Sequence, residues 1–268
     1  MVAAVLVAVF VVFWVTREGS GESAAGDRIE HIHGLGVNPA DGKLYAAAHN
    51  GVFRVGSKGK AQRVGDGGQD TMGFTIVGED HFLGSGHSAA GTGGPANLGL
   101  IESTDGGKTW KTVSLEDQAD FHALRFRHGN VYGYNAGQLM VSGDKRTWDT
   151  RGQVGLRDFA VSPSDPDTLV ASGEQGLMRS SDGGRNWSER GAAVLLLDWP
   201  ADDQLWAVGV DGKVMRSADG GEKWSDVGAV EGQAAAFAVH GDTLYFATAE
   251  GEILQSRDEG KTWDTRYS

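Results

Sequence analysis

The sequence predicts an all-β fold, a six-bladed β-propeller of four-stranded antiparallel blades, on three observations. A short string recurs: STDGGKTW at 103–110, SSDGGRNW at 180–187, SADGGEKW at 217–224 and SRDEGKTW at 256–263, with a shortened copy, SGDKRTW, at 142–148. The tryptophans that close the copies, Trp110, Trp148, Trp187, Trp224 and Trp263, are spaced by 38, 39, 37 and 39 residues and are five of the eight in the chain. Glycine is abundant, 42 of 268 residues against 5 prolines. That is roughly twice its usual share of ~7%, as expected of many short strands joined by tight turns.

The chain divides into three parts. Val2 to Val15 is an unbroken apolar run, shorter than the ~20 residues that span a bilayer squarely and suited to the apolar core of a signal peptide or a short anchor. Residues 1–15 are therefore read as a signal or anchor segment. Residues 16–29, which begin TREGSGESAAGD, are read as a flexible linker. Residues 30–268 form the propeller. The expected location is outside the cytoplasm, cell-surface anchored or secreted/periplasmic, with the membrane touched only through the N-terminal segment. A formal net charge of -12 argues against a nucleic-acid partner. The absence of cysteine excludes disulfides, thiolate nucleophiles and thiolate metal ligands.

Within each repeat the physics is local. Ser and Asp side chains accept backbone N–H groups inside a turn. Asp-Gly-Gly supplies positions that tolerate positive φ, as a tight hairpin needs. The Trp opens the following strand and packs its ring beneath the turn. The repeated Asp residues are thus structural. Around each string the pattern gives four short strands per ~38 residues, the content of a propeller blade. Six units follow, at about 30–66, 70–115, 118–152, 155–191, 193–229 and 232–268. The first has GSKGK at 56–60 instead of the string, and the second carries a Gly-rich insertion at 88–99 that is expected over one face.

These repeats resemble the Asp-box (BNR) propellers, a superfamily that includes sialidases, sortilin ectodomains and a photosystem II assembly propeller. More closely, HIHGLGVNPADGKLYAAAHNGVFRV at 31–55, DTMGF at 70–74, SGH at 85–87 and DFHALRF at 120–126 resemble a bacterial family of exported proteins labelled glycosyl hydrolase or exo-α-sialidase. The resemblance covers residues 30–268 and implies the fold. It implies activity more weakly, because enzymes and non-enzymes share the motif.

Comparing blades separates the common from the unusual. At the head of the first strand stand His31 and His33 in blade 1, Asp70 and Met72 in blade 2, Asp120 and His122 in blade 3, and Arg157 and Asp158 in blade 4, the last offset by one. Blades 5 and 6 offer only Leu and Ala there. The end of the second strand adds His49, His87 and Glu174. In an antiparallel blade the first strand starts where the second ends, so both sets share one face, opposite the Asp-Gly-Gly turns. His31, His33, His49, Asp70, His87, His122, Arg157, Asp158 and Glu174 are the candidate ligand-binding residues of this mouth.

Three readings of the mouth follow. The first is a module that binds a small molecule, a glycan or a protein partner. The second is a glycosidase, for which Asp70, Asp120, Asp158 and Glu174 are the candidate carboxylates, since most glycosidases use two of them. A sialidase further needs clustered arginines, and only Arg157 is placed clearly at the mouth. The third is a copper or zinc site from His31, His33, Met72, His87 and His122, with Asp70 as a further ligand. Imidazole suits either metal, and a thioether favours copper. Strand alternation is expected to put His31 and His33 on one face.

Overall fold

In a computed structural model the described residues are 28–268, apart from Lys58 and Ala192. The apolar segment 1–15 and residues 16–27 of the linker lie outside them. The described residues form six four-stranded antiparallel sheets, each built from four consecutive strands. The inner strands are Ile32–Asn38, Asp70–Gly78, Ala123–Arg127, Leu156–Val161, Val194–Ala201 and Ala234–His240. Each inner strand adjoins the next around a ring, and the last adjoins the first. This is the six-bladed β-propeller that the repeat predicts. Among the described residues no helix is long and apolar enough to cross a membrane.

No strand is exchanged between the first and last blades, so the ring closes through side-chain packing and a few hydrogen bonds rather than through a shared ladder. Every pair of neighbouring blades shares one apolar cluster. At the closing seam Ile29, Ile32, Leu44 and Phe53 pack with Ala236, Ala247, Ile253 and Tyr267. There the Ile29 N–H donates to Tyr267 Oη at 3.0 Å, and the Gly59 N–H to the Arg266 carbonyl at 3.2 Å. The first and last residues of the ring thereby meet. The other seams follow the same plan, for example Leu83, Leu100, Phe121 and Leu124 between blades 2 and 3, or Leu139, Phe159 and Leu169 between blades 3 and 4. In each seam the side chains of the facing sheets interdigitate.

The recurring turns lie between third and outer strands. In each full copy the serine hydroxyl accepts the N–H of the second glycine-slot residue and donates to the aspartate: Ser180 Oγ accepts from Gly184 N at 2.9 Å and reaches Asp182 Oδ1 at 2.8 Å. Asp182 also accepts from the N–H groups of Arg185 and Asn186 and from the Asn186 side chain. Trp187 immediately precedes the outer strand Ser188–Glu189 and donates its indole N–H to the Gly184 carbonyl at 3.0 Å. Its ring is half-buried against the seam of blades 3 and 4. Gly184 is required twice over: its φ is +86°, and a Cβ there would lie 2.3 Å from Leu139 Cδ2 of the preceding blade. In the shortened copy Asp144 keeps its bonds to Arg146 N and Thr147 N, but Trp148 turns its N–H to Ser114 Oγ.

These bonds hold the turn aspartates ionised. Thr109 depresses Asp105 to about 2 through its side chain and its N–H. Asn186 does the same for Asp182, and Thr262 for Asp258, each to about 2. The unfolded value is ~3.9. A depressed carboxyl adds stability above its unfolded pKa and loses it as pH falls toward its folded pKa. The melting temperature should therefore fall progressively from about pH 4 to pH 2. The triple substitution Asp105→Asn, Asp182→Asn, Asp258→Asn should lower it at pH 7 and flatten that acid limb. Calorimetric scans that gave the triple variant the wild-type acid limb would refute this account of the turns.

Candidate functional site

The mouth is built by an irregularity repeated at the head of the inner strands. In blade 1 the ladder pairs Ile32 with Ala48 and Gly34 with Ala47, leaving His33 as an extra residue. The same bulge isolates Met72 in blade 2, Arg157 in blade 4, Leu195 in blade 5 and Ala235 in blade 6. In blade 3 the equivalent residue is His122, whose N–H reaches the Tyr134 carbonyl just before the strand begins. A bulge leaves one residue unpaired and re-aims it. This corrects two sequence expectations. The offset of blade 4 disappears, because Arg157 is the equivalent of His33 and Met72, and Asp158 fills the next slot. His31 and His33 do not alternate along a regular strand, because His31 precedes it at φ +43° and His33 is the bulge.

The bulge residues His33, Met72, His122, Arg157 and Ala235 line the rim of an axial cavity of about 520 Å³. Around them the histidines gather on two aspartates. Asp70 lies 2.9 Å from His49 Nδ1 through Oδ2 and 3.3 Å from His33 Nε2 through Oδ1. Asp120 Oδ2 lies 2.7 Å from His122 Nε2 and 3.3 Å from His87 Nε2. Each aspartate thus joins its own blade to the preceding one. The other nitrogen of His87 meets the Ala96 carbonyl at 2.8 Å, which ties down the 88–99 insertion on the mouth face. His31 stacks edge-on against His49 with ring centroids 6.3 Å apart.

Burial lowers the pKa of His33, opposed by Asp70 and reinforced by His49, His31 and His122. The bond to Asp120 raises that of His122. Burial pushes Asp120 up, but its bond to His122 and the charges of His122, His87 and His33 outweigh this and hold it below the carboxylate range. Within this histidine–aspartate cluster three enclosed atoms make no hydrogen bond, His33 Nε2, Asp70 Oδ1 and Asp120 Oδ1. Among the described residues His33, His49 and Asp70 form a group whose potential ligand atoms all lie within 4.8 Å of one another. The five metal candidates named from the sequence do not converge in one group. His33 belongs to this one, His87 and His122 to Asp120, Met72 to the cavity rim, and His31 to the side of His49.

The carboxylate candidates separate as well. Asp158 is buried and saturated. It binds Arg125 Nη2 at 2.6 Å, the Phe159 N–H at 2.8 Å and the Leu197 N–H at 2.8 Å, so it clamps blades 3, 4 and 5. Ser172 assists, receiving the Asp158 N–H and donating to the Leu195 carbonyl. Glu174 is exposed in the turn after its strand. Arg157 is exposed at the rim and reaches across to the Ala234 carbonyl at 3.1 Å. Sequence comparison missed Asp198, which lines the cavity below the mouth. Burial pushes its carboxyl up, against the pull of Arg125. It lies beyond the strand heads where the blades were compared, and no repeat marks it.

A family model described as the BNR/Asp-box repeat matches residues 101–112. A curated relative, BURP domain-containing protein 12 of Oryza sativa subsp. japonica, is 25% identical over 122 residues. That match takes in 44% of this chain but spans only 20% of the relative's length. Among solved structures, YCF48 bound to D1 peptide matches with a TM-score of 0.55 at 16% identity, covering 90% of this chain and 83% of that one. The GH74 xyloglucanase from Xanthomonas campestris matches with a TM-score of 0.57 at 16% identity, covering 88% of this chain and 38% of that one. At such identities the likeness is one of fold.

The saturation of Asp158 generates a test of its role. Asp158→Ala leaves the Arg125 guanidinium without its carboxylate, and breaking a buried pair costs several kcal/mol. About a quarter of the Arg125 side chain stays in solvent (27%). The loss should therefore be about 3 kcal/mol, the lower end of the range for a buried pair, read by denaturant unfolding. A variant of wild-type stability that had lost function would return Asp158 to the list of active groups.

Proposed function

We propose that this chain, a β-propeller of BNR/Asp-box repeats, is a binding module that takes its ligand at the axial mouth. One observation carries the reading: where the rest of the blade repeats itself, the bulge slot changes chemistry from blade to blade, as His33, Met72, His122 and Arg157, around the rim of the 520 Å³ cavity. Ligand sites are concave pockets in which a few converging polar groups fix the ligand's orientation. Ligands of two chemistries have precedent among propellers of this shape, since YCF48 is seen with a peptide and the GH74 protein is a xyloglucanase. Peptide is the better match here, because the groups at the rim are imidazole, thioether and guanidinium. A glycosidase needs two carboxyls free to act on the two sides of one bond. At this mouth Asp158 is taken up by three donors, and Asp70 and Asp120 each have one oxygen held by a histidine, so neither carboxyl is fully free.

Peptide and glycan arrays probed with the wild-type protein, Arg157→Ala, His122→Ala and Asp182→Asn test the reading. The expected result is peptide signal that Arg157→Ala and His122→Ala abolish and Asp182→Asn leaves intact. Signal indifferent to both mouth substitutions rejects the mouth as the site. Turnover of a fluorogenic sialoside that disappears in Asp70→Asn or Asp120→Asn establishes the glycosidase instead.

The module is proposed to act outside the cytoplasm, supported by the apolar run at 2–15 and the Gly/Ser-containing linker that follows it. Residues 1–30 fused to alkaline phosphatase, which is active only after export, should give a positive reporter. An inactive fusion made at normal levels argues for an internal protein.

A further inference from the structure

We infer that His33, His49 and Asp70 form a binding site for one divalent first-row metal ion, of the zinc or copper class, at the seam of blades 1 and 2. The inference rests on the reading of the mouth as a binding surface and adds an occupant to its rim. The donor set is two imidazoles and one carboxylate, whose ligand atoms lie within 4.8 Å of one another. Two imidazoles and a carboxylate that leave a position open describe a frequent zinc arrangement, and imidazole serves copper equally.

The geometry carries the argument further than the composition. His33 Nε2 and Asp70 Oδ1 are 3.3 Å apart. Two donors held at about 2.0–2.1 Å from one ion at a tetrahedral angle stand about 3.3–3.4 Å apart, so this pair already has the spacing of adjacent ligands. It does not have the geometry of a hydrogen bond: both atoms are enclosed and neither has a hydrogen-bond partner. Leaving an enclosed donor or acceptor unpaired costs roughly 1–3 kcal/mol, and an ion placed between the two satisfies both. Asp70 Oδ2 meanwhile holds His49 Nδ1 at 2.9 Å, which keeps the third ring beside the site.

The neighbouring seam supplies an internal comparison. His87 and Asp120 stand to blades 2 and 3 as His49 and Asp70 stand to blades 1 and 2. In the bulge slot that His33 fills, however, blade 2 has Met72. Asp120 also has two imidazoles, His87 and His122, but His122 comes from its own blade, and among the described residues only the trio of the blade 1–2 seam has all its ligand atoms within 4.8 Å of one another. The blade 1–2 trio is thus set apart by the mutual spacing of its ligand atoms, with His33 in the bulge slot where blade 2 has Met72.

Isothermal titration of chelator-stripped full-length protein with zinc chloride, and separately with copper sulfate, tests the inference. The expected result is saturable binding of one ion per chain. His33→Ala, His49→Ala and Asp70→Asn should each weaken it by about 100-fold or more, the upper end of the loss seen when a group supporting a metal is removed. His240→Ala, on an exposed residue at the far end of its inner strand, should leave it unchanged. His49 is mostly exposed, with 56% of its side chain in solvent, so that variant keeps its fold even if His33→Ala does not. Cobalt substitution should give the intense visible bands of a tetrahedral site in wild type and lose them in His49→Ala. Absence of one-to-one binding, or an affinity that His33→Ala and His49→Ala leave unaltered, overturns the metal site. If peptide binding that depends on Arg157 and His122 then survives treatment with chelator, the metal inference alone has failed. Metal binding without any array ligand rejects the wider reading and leaves this one standing.

Discussion

Everything in this molecule depends on six apolar seams between blades that share no strand. A propeller closed by an exchanged strand can rely on a hydrogen-bonded ladder to join its ends. Here each blade keeps its own four strands, and closure depends on Ile29, Ile32 and Leu44 meeting Ala236, Ile253 and Tyr267. The closing seam uses small residues, Ala46 and Ala48 from the second strand of blade 1, and Ala236 from the inner strand and Ala247 from the second strand of blade 6. Gly73, on the inner strand of blade 2, shows close packing at the seam of blades 2 and 3, since a Cβ there would lie 2.3 Å from the Phe121 carbonyl.

Tight seams leave little freedom for side chains in the ladder, and the bulge at the head of the inner strand restores some. An unpaired residue at the rim stands outside the ladder, so its side chain can change without breaking ladder hydrogen bonds. The chain uses that freedom unevenly. Blades 1 to 4 present His33, Met72, His122 and Arg157, whereas blades 5 and 6 present Leu195 and Ala235. The rim is thus a polar arc facing an apolar one. A ligand with one polar and one apolar side would be oriented by it, which a uniform ring of six equivalent side chains could not do.

The fold was legible because the repeat encodes it twice, in the spacing of the tryptophans and in the turn chemistry of Ser180, Asp182 and Gly184 and their equivalents. Both are local interactions, and local interactions can be read from local sequence. The residues of the mouth were legible as a set for the same reason, since the blades could be compared slot by slot. Their partnerships were not. The links from Asp70 to His33 and His49 cross a seam, as do those from Asp158 to Arg125 and to the Leu197 N–H. Their geometry depends on where one blade stands against the next. The bulge was equally hidden, because an extra residue in a strand leaves no mark in composition. That is why Arg157 fell one place out of register and His31 was given a shared face with His33. Asp198 escaped notice because it lies beyond the strand heads and beneath the mouth.

The two faces of the ring differ in what their carboxylates still have to offer. On the turn face each aspartate is satisfied within its own hairpin: Asp182 accepts from the Arg185 and Asn186 N–H groups and from the Asn186 side chain, all within four residues. Such a group stabilises a turn and has little left for a ligand. On the mouth face Asp70 and Asp120 are satisfied only by residues that include those of the preceding blade, and each keeps one enclosed oxygen without a hydrogen bond. An occupant at the mouth would therefore bind groups that also hold blades 1, 2 and 3 in their relative positions. Because any species that binds the folded state alone stabilises it, occupation of the mouth and integrity of these two seams are thermodynamically coupled. The coupling is local to the blades joined by Asp70 and Asp120; between blades 5 and 6 the apolar groups Leu196, Phe237 and Phe246 are joined by a different carboxylate, Asp198, which accepts the Val239 N–H at 2.7 Å.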